Sequence, residues 1–112
     1  MPYGLPEDTL TRIRDVLAAH PAVEKAVLYG SRAKGGFRAG SDIDLCLVGE
    51  AVSLPEQLKI ESELDDLLLP YKIDLSRYHA LDTPALVDHI KRVGVAIYEA
   101  ASHAREETGW QP

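Results

Sequence analysis

Between Leu28 and Leu47, two apolar segments flank a turn that is both basic and rich in glycine: Leu-Tyr-Gly-Ser-Arg-Ala-Lys-Gly-Gly-Phe-Arg-Ala-Gly-Ser-Asp-Ile-Asp-Leu-Cys-Leu. Gly30-Ser31 breaks the first segment, and the second resumes as a strand carrying Asp42 and Asp44. Residues two apart on a strand share a face at roughly 6–7 Å. The two aspartates therefore lie side by side, with Ile43, Leu45 and Leu47 turned the other way. Two ionised carboxylates so close repel each other unless a cation stands between them. Oxygen ligands on a strand suit Mg²⁺ or Mn²⁺, which take one or two carboxylates and then the phosphates of a substrate.

Composition narrows the class. A chain of 112 residues, 46% apolar and 27% charged, is of ordinary globular make-up and long enough for one domain with a real core. No apolar run approaches the ~20 residues of a membrane span, and the N-terminus lacks the basic-then-apolar pattern of a secretion signal. Cys46 is the single cysteine, so no intrachain disulfide can form. On an apolar strand it reads as a buried, inert thiol. These features fit a cytoplasmic setting. The net charge of −6 argues against a protein that coats nucleic acid. Yet Arg32, Lys34 and Arg38 all fall between Gly30 and Asp42 with no acidic residue among them, which suits a small anion.

Taken in order, the periodicity predicts an α/β chain. A helix over 7–20 carries Leu10, Ile13, Val16 and Leu17, with Pro6 in its first turn, acidic residues at its positive end, and Pro21 as its stop. His20 reads as a capping or dipole residue at its end. Strands are predicted over 23–29 and 42–48, with one short helical turn over 31–34 between them. A helix over 55–69 follows, with Ile60, Leu64, Leu67 and Leu68 as its stripe and Glu61, Glu63, Asp65 and Asp66 as a solvated face. A third strand covers 71–76. Thr83 and Pro84 read as N-cap and first residue of a helix bearing Leu86, Val87, Ile90 and Val93. Gly94 ends that helix, and a last strand covers 95–98. One domain over 1–99 is expected, followed by a fraying tail over 100–112 in which Trp110 reads as a residue of no consequence or as a contact for a partner.

One pattern recurs: Ile43-Asp44-Leu45 and Ile73-Asp74-Leu75 are the same tripeptide on two predicted strands. If the strands are neighbours, Asp74 faces Asp42 and Asp44, and three carboxylates form a site for one or two divalent ions. The plainer alternative is that each aspartate simply faces water. Against it, aspartate is a poor strand residue. A strand that ends in Gly-Ser and opens a helix also points backbone N–H groups outward, as a phosphate site does. Gly30 allows close approach, Ser31 can donate, and some of Arg32, Lys34 and Arg38 supply charge, though one short turn cannot direct all three inward. Gly35, Gly36 and Gly40 read as turn residues. Other motifs fail. A P-loop needs lysine where Gly36 stands, and an EF-hand loop from Asp42 would put Cys46 and Ser53 at ligand positions. One cysteine and four dispersed histidines do not make a structural zinc site.

Gly30-Ser31, ten intervening residues, Asp42-Ile43-Asp44 and a later strand aspartate, Asp74, together resemble the nucleotidyltransferase superfamily typified by DNA polymerase beta. The wording Gly-Ser-Arg-Ala-Lys-Gly and the short length resemble its minimal nucleotidyltransferase (MNT) branch, the antitoxins of HEPN/MNT toxin–antitoxin pairs. The likeness runs from about residue 10 to residue 99. It implies a mixed β-sheet of about four strands flanked by helices, and transfer of a nucleotide, AMP from ATP, to an acceptor hydroxyl. It also implies that Gly30 and Ser31 hold the triphosphate, that Asp42 and Asp44 bind both metals, and that Asp74 binds the catalytic metal and helps deprotonate the acceptor. Arg32 and Lys34 match positions that are usually basic. The implied cofactor is Mg²⁺, with Mn²⁺ as a substitute, and the implied partner is a HEPN-type helical protein whose tyrosine is AMPylated. Two rivals stand beside this reading: an antitoxin that only masks its partner, and a transferase for a small molecule held by a helical subunit.

Overall fold

The computed structural model describes residues 2–100. The expectations for the tail, Trp110 included, lie outside the described residues.

Four strands form one mixed sheet in the order β3-β2-β1-β4. β1 (Lys25–Tyr29) runs antiparallel to β2 (Ile43–Val48) and to β4 (Val95–Glu99), while β3 (Ile73–Arg77) lies parallel to β2. A parallel pair needs a crossover, and α3 (Leu54–Asp65) supplies it. With α1 (Glu7–Ala18), the four-residue α2 (Ser31–Lys34) and α4 (Pro84–Val93), this is the expected α/β arrangement. No helix among the described residues is long and apolar enough to cross a membrane.

The strand alternation sorts the chain onto two faces. Ile43, Leu45, Leu47 and Leu75 pack with Leu10, Ile13 and Leu17 of α1 and Ile60 and Leu64 of α3 in the main core. Truncating one of these fully buried leucines to alanine costs about 2–5 kcal/mol. The other face is thinner. Val27 and Cys46 meet Ile90 of α4 there, with Tyr29, Val48, Tyr78 and Leu86 around them. Asp44 belongs to this second face, which is therefore half covered by a helix rather than simply solvated.

Several element ends differ from the periodicity. Pro6 occupies the N-cap of α1 rather than its first turn, and the helix stops at Ala18. α3 begins at Leu54, capped by Ser53, whose hydroxyl accepts from the Glu56 N–H at 3.2 Å. It ends at Asp65 rather than running on through the leucines. Leu67 and Leu68 then bond three residues back, to Leu64 and Asp65, and Leu68 turns to φ 54 with 87% of its surface exposed. Thr83 does sit at the N-cap of α4, but its side chain makes no capping bond; its hydroxyl lies 3.4 Å from Asp82 Oδ1 instead.

Candidate active site

The parallel ladder sets the two tripeptides in register: Ile43 opposite Ile73, Asp44 opposite Asp74, Leu45 opposite Leu75. Asp74 is thus the lateral neighbour of Asp44, and Asp42 stands just before β2 on the same side. Asp42 and Asp74 are exposed and Asp44 is half-buried. Burial raises the Asp44 carboxyl above the usual aspartate value, and the charges of Asp74 and then Asp42 raise it further, with His89 pulling the other way. Burial and neighbouring negative charge that His89 only partly offsets are the electrostatic signature of this corner.

Gly30 joins it to the turn. Its φ of 77° lies in the region that favours glycine, and a Cβ placed there would run into Asp44 Oδ2. Only glycine lets the carboxylate lie against the backbone at this point. The Gly30 N–H donates to His89 Nε2 at 3.2 Å, and the His89 ring meets Tyr29 edge-on with centroids 6.2 Å apart. Tyr29 is the partner of Asp44 on its other flank. Burial raises its phenol above the ordinary value, and Asp44 and Asp74 add to the rise. His89 has no motif around it and belongs to the site only because α4 packs on β1. Sequence reading passes over it as one of four dispersed histidines.

The basic residues of the turn separate. Ser31 opens α2 with its side exposed, and Lys34 and Arg38 are exposed as well. Arg32 is only 2% exposed. Its Nε and Nη2 both donate to Ser41 O, at 3.0 and 2.8 Å, and its Nη1 donates to Tyr3 O at 2.9 Å. Its guanidinium lies 4.9 Å from the Tyr71 ring centroid and 5.4 Å from that of Phe37. The expectation that Arg32 reaches a phosphate thus meets a side chain already bound to the protein's own carbonyls. Cys46, behind the site, is fully buried, and burial pushes its thiol up to about 11. The buried, inert thiol expected from sequence is what the fold shows.

Among the described residues, no three Asp, Glu, His or Cys side chains stand close enough to form a ready-made metal cage. The donor set fits a hard cation that takes one or two carboxylates and completes its shell with water and substrate phosphates. A polar cleft of about 260 Å³, lined by Glu61, Asp65 and Lys72 among others, opens beside Asp74 on β3.

The family model described as polymerase beta, nucleotidyltransferase, matches residues 11–103. No curated protein matches. Among solved structures, one described as a toxin–antitoxin with AMP-PNP is 19% identical with a TM-score of 0.65, covering 91% of this chain and 80% of its own. A second, a tri-AMPylated Shewanella oneidensis HEPN toxin in complex with MNT antitoxin, is 17% identical with a TM-score of 0.64, covering 89% and 76%. The toxin–antitoxin MntA-HepT is 16% identical with a TM-score of 0.64, covering 90% and 78%. Likeness at such identities is one of fold. The family match spans most of the residues that build the sheet and both acidic strands, and on that ground the chain belongs to the polymerase beta nucleotidyltransferase family.

Proposed function

We propose that this chain is a metal-dependent nucleotidyltransferase of the minimal (MNT) type. It moves AMP from ATP onto an acceptor hydroxyl, a tyrosine of a HEPN-type helical partner, and so acts as an antitoxin. One observation carries the reading: Asp44, crowded by Asp42 just before β2 and by Asp74 across the ladder, lies against a glycine that opens a serine-led turn. The solved structures described with AMP-PNP and with a tri-AMPylated HEPN toxin support the nucleotide and the acceptor. A cytoplasmic setting, where ATP and Mg²⁺ are at hand, suits it.

In this reading Ser31 and Lys34 hold the triphosphate, and Gly30, which carries no side chain and whose N–H is taken by His89, lets it lie close to the backbone. Asp42, Asp44 and Asp74 hold Mg²⁺, or Mn²⁺ in its place. When bound, the ion lowers the pKa of the acceptor hydroxyl and neutralises charge building on the phosphates. Asp74, on the outer strand, takes the acceptor proton on a carboxylate oxygen. The freed acceptor oxygen forms a bond to the α-phosphorus in line with the bond to the β-phosphate oxygen, which breaks as pyrophosphate leaves with the electron pair. Positioning and charge stabilisation are the protein's contributions.

The test is co-expression with a HEPN-type helical protein, followed by mass spectrometry of that partner. A gain of one or more AMP masses, lost in the Asp44→Ala variant, is the expected result. An inhibited but unmodified partner would show masking instead, and transfer to small molecules alone would move the acceptor out of the protein class.

A further inference from the structure

We propose that Arg32 is a positioning residue: its buried guanidinium clasps three separate segments and thereby sets Asp42 against Ser31. The inference rests on the nucleotidyltransferase reading above and assigns a role to a residue that does not touch substrate.

Arg32 directly follows Ser31, while the carbonyl it grips with two N–H groups belongs to Ser41, the residue before Asp42. A single side chain thus closes the glycine-rich loop at its two functional ends. Glycines at 35, 36 and 40 leave that loop little stiffness of its own. The far side of the guanidinium meets the N-terminal turn Pro2–Gly4, donating to Tyr3 O at 2.9 Å and more weakly to Gly4 O at 3.4 Å. That turn is held in an uncommon shape. Tyr3 has φ 60 and Gly4 φ 71, and a Cβ on Gly4 would strike the Phe37 ring. Phe37 and Tyr71 then sit about the guanidinium as aromatic neighbours. Tyr71 and Lys72 lead into β3, and the Lys72 carbonyl accepts from the Ile43 N–H at 2.8 Å. The approaches to Asp42 and Asp74 therefore meet at one cation. A lysine could not reproduce this, because only the planar fork donates twice to one carbonyl and lies flat against rings.

The experiment compares wild type with Arg32→Lys and Gly4→Ala by calorimetric titration with ATP, once with Mg²⁺ and once with EDTA. Circular dichroism checks the fold. A displaced Asp42 should weaken binding of Mg²⁺–ATP by about tenfold or more, as losses of supporting residues commonly do, and leave metal-free ATP binding unchanged. Equal weakening in both titrations would make Arg32 a phosphate ligand and overturn the proposal; so would unchanged binding in both. Should Arg32→Lys fail to fold, Gly4→Ala carries the same comparison from a residue remote in sequence. Normal Mg²⁺–ATP binding by a folded Gly4→Ala chain would then overturn it. Asp44→Asn serves as the control. If that variant binds Mg²⁺–ATP like wild type, the nucleotidyltransferase reading itself fails, an outcome distinct from failure of the Arg32 role alone.

Discussion

Among the described residues, two groups of carboxylates are treated differently by the fold: one closes around a buried histidine and the other stays open. At the end of α1, His20 is nearly buried and reaches Glu56 Oε2 through Nδ1 at 3.0 Å and Glu63 Oε1 through Nε2 at 2.7 Å. Burial opposes charge on the ring, but the hydrogen bonds and negative charges of Glu63 and Glu56 outweigh it, so the His20 pKa is raised. The result is a tie between α1 and α3. At Asp42, Asp44 and Asp74 there is no such closure, and burial and mutual repulsion push Asp44 up. Counting carboxylates does not separate the two clusters. What separates them is whether the fold sets a histidine between the carboxylates.

The largest effect should come from the open cluster. Asp44→Ala should lower nucleotide transfer on the order of a thousandfold, as loss of a central charge-stabilising group does, measured as release of pyrophosphate with partner present. Near wild-type turnover would put the two clusters in the same structural class. Next comes the closed cluster. His20→Ala leaves Glu56 and Glu63 facing each other. Breaking a buried pair costs about 3–5 kcal/mol, and partial exposure of both glutamates lowers the expectation to about 1–2 kcal/mol in urea unfolding. Smaller and opposite in sign, Asp44→Asn should raise the Tm by a few degrees, on the order of 1 kcal/mol, because it removes a carboxylate the fold holds under repulsion. A lowered Tm would mean the charge is already compensated.

The pH dependence sharpens the contrast. The His20 pKa is raised on folding, so its stabilising contribution is fully present below the unfolded value near 6.5 and is lost as pH rises through the folded value. Wild type should therefore lose Tm relative to His20→Gln as pH rises above the unfolded value near 6.5. The smallest change belongs to the exposed Asp88–Arg92 pair at 2.8 Å on α4, where Asp88→Ala should alter stability by no more than about 0.5 kcal/mol.

Local patterns carried the strands and the acidic residues, because alternation in Ile43-Asp44-Leu45 and Ile73-Asp74-Leu75 is written within three positions. That the two tripeptides become lateral neighbours depends on the crossover, and repetition of one pattern was a fair guide to it. His89 was out of reach. Its bond to Gly30 spans 59 residues and follows from how α4 lies on β1. Arg32, Lys34 and Arg38 look alike in a basic run, and only the carbonyls and rings brought in from Tyr3, Gly4, Phe37 and Tyr71 pick out the buried one. His20 likewise finds its glutamates on a helix 36 and 43 residues away. The start of α3 was closer to hand: Ser53 caps the Glu56 N–H with Pro55 in the first turn, and periodicity alone places the start one residue late.

Cys46 gives the chain an internal gauge. Its thiol sits in the centre of the sheet, two residues beyond Asp44 on the same strand face, with none of its surface exposed and burial holding the sulfur protonated. Alkylating reagents can reach it only when the cover over it, Ile90 of α4 and its neighbours, opens. Labelling rate on the untouched chain therefore reports how often the helical cover beside the acidic corner lifts, and how far a bound nucleotide keeps it shut.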